Sequence, residues 1–152
     1  MRLRAGAERV FVDSGVLVYV YDPDAPAKQT CARNLVIDHL GSGTLALSTQ
    51  VLLEFYWAAT RKPEVPLPHP VAVGFARQLL AAHVVTPSAD LVVAAMERRG
   101  ASPLTIWDAL ILEAAESCGA SVLYTEDKHL LSVSAGIAIV DPFAGLAEQA
   151  TD

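Results

Sequence analysis

The chain of 152 residues has only two cysteines, Cys31 and Cys118, and neither has a second Cys or a His at metal-ligand spacing. That argues against a disulfide framework and a Cys/His zinc site, and suits a reducing cytoplasm. Internal repeats and low-complexity tracts are missing as well, so repeat architectures drop out. Positive charge is scarce: 11 Lys and Arg stand against 17 Asp and Glu, a net charge of −6. A protein that coats nucleic acid without specificity needs the opposite balance, whereas an enzyme that meets phosphates through a bound cation does not. No apolar run reaches the ~20 residues a membrane helix needs. The N-terminal run VFVDSGVLVYVY, Val10 to Tyr21, is short and interrupted by Asp13, so neither a signal peptide nor a membrane span is expected. The four histidines, His39, His69, His83 and His129, are scattered and form no acid–base pair, which disfavours chemistry built on one.

What is present fits one compact domain, with 53% hydrophobic residues. Arg9 to Asp13 reads as a short buried strand that turns into a helix at Ser14-Gly15. Pro26 to Leu40 is amphipathic and is stopped by Gly41-Ser42-Gly43; Thr44 to Leu47 is a second strand. Ser48 can cap a helix running to Arg61 and ended by Lys62-Pro63. The proline-rich EVPLPHP is a loop. Val71 to Ala82 is helix, Val84 to Thr86 strand, Ser88 to Arg99 helix closed by Gly100, and Thr105 to Cys118 helix closed by Gly119. Val122 to Thr125 and Ile137 to Val140 complete about five strands. Strands alternating with helices predict an α/β fold, a short and mainly parallel sheet covered by helices on both faces.

In such a sheet ligands bind beyond the carboxyl ends of the strands, where Asp13 falls. Three more acids share its apolar surroundings. Glu54 is the sole acid in VLLEFYWAA, a helix segment apolar nearly all round and therefore expected to be buried. Asp108 stands alone in LTIWDALIL, and Asp127 follows the apolar strand SVLYT. Each has an ordinary explanation: a strand-end turn for Asp13, capping-box spacing from Thr105 for Asp108, a solvated turn with Glu126, Lys128 and His129 for Asp127, a solvent-facing position for Glu54. Their joint occurrence points to a shared site, because buried carboxylates without partners are costly and neither helix offers a Lys or Arg close to Glu54 or Asp108. Oxygen donors in this number suit Mg²⁺ or Mn²⁺.

These residues resemble the PIN-domain ribonucleases, especially VapC-type toxins of bacterial toxin–antitoxin pairs, over nearly the whole chain. VFVDSGVLVYV is similar to the family's opening strand, Asp and small hydroxyl residue. STQVLLEF resembles its Ser…Glu-Phe helix, TIWDALILEAA its apolar helix with an early Asp, YTEDKHL its Thr-x-Asp strand end, and IVDPF its closing strand. Gly15 departs from the pattern, since many members carry Asn or another polar residue there. The resemblance implies a three-layer α/β/α sandwich in which Asp13, Glu54, Asp108 and Asp127 hold one or two Mg²⁺ (or Mn²⁺) ions. Ser14, Ser48 and Thr125 would support them by hydrogen bonds. It further implies RNA as substrate, a homodimer and a cognate antitoxin whose peptide reaches the site. An ion so held lowers the pKa of water for in-line attack on a phosphodiester. Lys128, Arg61 and Lys62, with Arg98 and Arg99 behind them, are candidates for steering the RNA backbone.

Two other readings compete. Asp22-Pro23-Asp24 follows an apolar run and could be the paired aspartates of a phosphatase that forms an aspartyl-phosphate on Asp22; this leaves Glu54 unexplained. A non-catalytic scaffold would bind a partner through the Trp57 and Trp107 regions, and has no use for four such acids. GSGTLA lies between a helix and a strand, the reverse of a dinucleotide-binding turn, and is rejected.

Overall fold

The computed structural model describes residues 8–62 and 64–146. The basic N-terminal residues and Pro63 lie outside the described residues. Five strands form one sheet: β1 (Arg9–Val12), β2 (Leu45–Ser48), β3 (His83–Val85), β4 (Ala120–Tyr124) and β5 (Ala138–Val140), in the order β3-β2-β1-β4-β5. Every pairing is parallel, with Phe11 opposite Ala46 on one side and Leu123 on the other. A sheet of this kind is covered on both faces, which explains why its central strands are largely apolar instead of alternating. Phe11, Val12, Leu47 and Leu123 are fully buried.

The crossovers are α1 (Ser14–Tyr19), α2 (Pro26–Ser42), α3 (Thr49–Thr60), α4 (His69–Leu79), α5 (Ala89–Gly100), α6 (Ile106–Ser117) and the short α7 (Lys128–Leu131). They pack most extensively as two groups. In one, α1 lies against α2 and α3, and α3 against α4; in the other, α5 packs on α6, which covers β2 and β4. Phe55 and Phe75 meet edge to face at 5.2 Å in the first group. Arg98 of α5 bonds both Glu113 and Glu116 of α6 in the second.

The α/β class and the parallel sheet agree with the sequence reading, and four details differ. Gly41 and Ser42 do not stop α2; they complete its last turn, and Gly43 alone turns the chain, at φ 75°. Only glycine adopts that conformation without strain, and it lets Thr44 N–H reach back to His39 O at 2.9 Å. Helix α7 replaces a plain turn after Asp127. Gly100 does not close α5 but is its last residue, and Ala101 follows as the cap. Finally, α3 is not buried all round: Leu53 is 70% and Trp57 60% exposed. Apolar composition on every side signals burial only when neighbours cover every side, and one face of α3 has no neighbour among the described residues.

Candidate active site

Asp13 leaves the carboxyl end of β1 and caps α1. Its backbone N–H donates to Tyr124 O of β4 at 3.0 Å, so the sheet itself fixes the residue. Its Oδ1 accepts from Ser14 N–H at 2.8 Å, and its Oδ2 accepts from the Thr125 hydroxyl at 2.8 Å. Thr125 is buried, and its oxygen in turn accepts from Asp127 N–H at 3.0 Å. One hydroxyl thus ties together the acids that follow β1 and β4. Asp127 caps α7, with Oδ1 accepting from His129 N–H at 2.9 Å and Leu130 N–H at 3.1 Å.

Glu54 approaches from α3. The Ser14 hydroxyl donates to its Oε2 at 3.1 Å, and Gln50 Nε2 donates to its Oε1 at 2.8 Å. The same Gln50 nitrogen donates to Trp107 O in the first turn of α6 at 3.0 Å, bringing the start of the Asp108 helix alongside α3. Asp108 itself uses its N–H on the Thr105 hydroxyl at 3.1 Å. Its carboxylate accepts no hydrogen bond from any described residue.

Burial pushes the Asp13 carboxyl up to about 6, and the negative charges of Glu54 and Asp127 add to this, against the lowering effect of the bonds from Thr125 and Ser14. A carboxyl that stays raised despite two good donors is one in a poorly solvated place, with like charge nearby adding a smaller push. Asp13 thus lies within the fields of both Glu54 and Asp127, with Asp108 one residue from the Gln50 bridge. Two cavities open here. One, of about 240 Å³, is lined by Asp13, Ser14, Gly15, Thr125 and Asp127. The other, of about 740 Å³, is lined by Ser14, Gln50, Glu54, Trp57 and Trp107. An added side chain at Gly15 would meet nothing within 4 Å, so the missing side chain leaves open space.

The donor set fits a hard divalent cation in kind, being carboxylate oxygen throughout and mutually repulsive. Among the described residues no three His, Cys, Asp or Glu side chains already converge on one point; the oxygens of Asp13 are met by protein donors instead.

The remaining candidates are distributed as follows. Ser48 is fully buried at the carboxyl end of β2 and accepts from Val51 N–H at 3.3 Å, so its hydroxyl is engaged in capping α3. Lys62 bonds Asp22 at 2.6 Å, and this ammonium holds the Asp22 carboxyl below the usual carboxylate range. Asp22 also accepts from Asp24 N–H at 3.1 Å, which gives both paired aspartates a turn-forming role beyond the end of α1. The Arg61 guanidinium lies over the Trp57 ring at 3.9 Å. Lys128 is exposed and forms no ion pair with a described residue. Sequence reasoning missed two residues. Gln50 sits four before Glu54, a spacing that could have flagged it. Lys28 reaches Glu126 at 2.9 Å across 98 positions, and no local pattern signals that.

The PIN domain family model matches residues 10–136. No curated protein matches in sequence. Among solved structures, the VapC20 toxin of Mycobacterium tuberculosis, described as Sarcin-Ricin loop cleaving, superposes with a TM-score of 0.67 at 23% identity, covering 88% of this chain and 99% of that one. A toxin–antitoxin complex from Klebsiella pneumoniae gives 0.64 at 17%, covering 88% and 97%. DNA-bound VapBC from Salmonella typhimurium gives 0.64 at 17%, covering 90% and 99%. At these identities the likeness establishes the fold.

Proposed function

Because this chain belongs to the PIN domain family, we propose that it is a metal-dependent endoribonuclease, the toxin of a toxin–antitoxin pair, hydrolysing RNA phosphodiester bonds. The observation that carries the proposal is the burial of Asp13 beyond the carboxyl ends of β1 and β4, with Glu54 and Asp127 near enough to add to it, which leaves the Asp13 carboxyl at about 6. Asp13, Glu54, Asp108 and Asp127 would hold one or two Mg²⁺ or Mn²⁺ ions. When bound, such a cation activates water and offsets charge on the phosphate oxygens.

The chain's own residues supply the rest. Thr125 and the Ser14 N–H fix both Asp13 oxygens, so that this carboxylate keeps one orientation as substrate arrives. Ser14 and Gln50 do the same for Glu54. All four donors are neutral and leave the negative charge intact for a cation. Lys128, exposed at the start of α7, would meet the RNA backbone, while Lys62 is engaged by Asp22 and Arg61 by Trp57.

Support for RNA and for an antitoxin comes from what the structural relatives are: a Sarcin-Ricin loop cleaving toxin and the toxins of toxin–antitoxin complexes. The exposed Leu53, Trp57 and Trp107, the last 62% exposed, form an apolar surface of the kind that protein partners cover. A cytoplasmic homodimer blocked by its antitoxin completes the proposal. That same surface favours a second reading, a scaffold without catalysis.

The deciding experiment is cleavage of a labelled RNA pool by purified, antitoxin-free protein in Mg²⁺ or Mn²⁺ and in EDTA, with Asp108→Asn as control. Metal-dependent cleavage lost in the variant is expected. A folded wild-type protein that cuts nothing would overturn the nuclease and leave the scaffold.

A further inference from the structure

Gln50 and Glu54 are one turn apart on α3 and so share a face. Both partners of the Gln50 amide nitrogen, Glu54 Oε1 and Trp107 O, are pure acceptors. The amide therefore has one possible orientation, because reversing it would set oxygen against two oxygens. In that orientation Gln50 Oε1 is buried with no hydrogen-bond partner among the described residues. Native folds avoid such orphaned atoms unless something else depends on the arrangement. Here the arrangement joins two helices that do not otherwise pack extensively on each other. It reaches the carbonyl next to Asp108, and it holds the Glu54 oxygen that Ser14 does not hold.

A charged donor in this place would cancel the Glu54 carboxylate, and an aliphatic side chain, with nothing to donate, would let it swing. A neutral amide does neither. Given the reading of the acids as a divalent-cation site, on which this rests, we propose that Gln50 is a positioning residue. It sets the distance between Glu54 of α3 and Asp108 of α6 so that both can serve one hard cation, without itself touching the reacting atoms.

The test compares wild type with Gln50→Met, similar in length but unable to donate, and with Gln50→Ala and Glu54→Gln. Mn²⁺ alone is titrated by calorimetry, melting is followed in EDTA, and RNA cleavage is measured over a range of Mn²⁺ concentrations. The melting temperature of Gln50→Met is expected within a few degrees of wild type, since the two lost hydrogen bonds are partly offset by removal of the orphaned oxygen. Mn²⁺ affinity is expected to fall at least tenfold, and cleavage to approach the wild-type rate only at correspondingly higher Mn²⁺. Mn²⁺ affinity within twofold of wild type in both Gln50 variants, with Glu54→Gln impaired, overturns this inference alone. Wild type that neither binds Mn²⁺ nor cleaves overturns the cation-site reading and the inference with it. Unfolding of both Gln50 variants assigns the residue a purely structural role and also overturns it.

Discussion

Replacing Asp13 with Asn should stabilise the metal-free protein. Folding raises this carboxyl from 3.8 to about 6. Such a displacement corresponds to roughly 3 kcal/mol of folding free energy lost once the group is ionised in both states. The direction follows from proton counting. Below about pH 4 the carboxyl is protonated folded and unfolded, and nothing is lost. Between about 4 and 6 only the unfolded chain ionises, so wild-type stability falls as pH rises, and above about 6 the loss is complete. The amide removes that dependence. It keeps the bond from Ser14 N–H, but it sets an amide donor or a reoriented hydroxyl against Thr125, which costs about 1 kcal/mol. The net gain near pH 7.5 is then about 2 kcal/mol, or about 4–8 °C in melting temperature for a chain of this size. Solvent in the adjoining cavity trims the gain, so this is the upper figure. Urea and thermal melts in EDTA at pH 4, 5, 6 and 7.5 measure it. The two proteins should converge at the acid end, and saturating Mn²⁺ should reverse their order at pH 7.5 by stabilising wild type alone. An Asp13→Asn variant less stable than wild type at pH 7.5 in EDTA would refute the burial argument.

Four further outcomes follow from the same geometry. Asp108→Asn should fold with a melting temperature within a few degrees of wild type, because its carboxylate has no donor among the described residues to lose, yet should cut RNA at least a hundredfold more slowly; full activity would remove Asp108 from the site. Lys128→Ala should weaken RNA cleavage severalfold at low salt and reduce its salt dependence; identical salt curves would show that this lysine meets no phosphate. Asp22→Ala should leave cleavage within about twofold while costing up to about 1 kcal/mol of stability through the Lys62 pair and the Asp24 turn. Loss of activity there would revive the phosphatase reading. Gly15→Asn should fold at least as well as wild type, given the open space around it and the helical backbone, by about 0.5 kcal/mol in circular-dichroism melts.

The parts of the molecule legible in the sequence were those governed by local rules. The buried strand before Asp13, the Ser48 and Thr105 caps and the Gly119 stop depend on residues a few positions apart, and each is found. The alternation of strands and helices carried the parallel topology because parallel strands require crossovers. Features that depend on what lies across space were illegible. Leu53 and Trp57 read as buried because hydropathy cannot say which face of a helix lacks a neighbour. The Gln50 bridge spans 57 positions and the Lys28–Glu126 pair 98, and neither residue is unusual on a helix surface. Among the acids, the pattern singled out four positions as candidates. It gave no warning that Asp13 and Asp127 also cap helices.

The placement of β1 at the middle of the sheet bears on how activity would fail. Asp13 and Thr125 hang from β1 and β4, both interior strands, and the Asp13 N–H is bonded to Tyr124 O of β4. Amides there should exchange with deuterium only through global opening, whereas α3 and α6 reach the site from outside the sheet and can loosen by smaller excursions. The half of the site carried by the strands should persist until the whole molecule unfolds. The half carried by Glu54 and Asp108 should be lost and regained many times before then, so reversible inactivation on warming is expected to begin at the helices while the strand core still resists exchange.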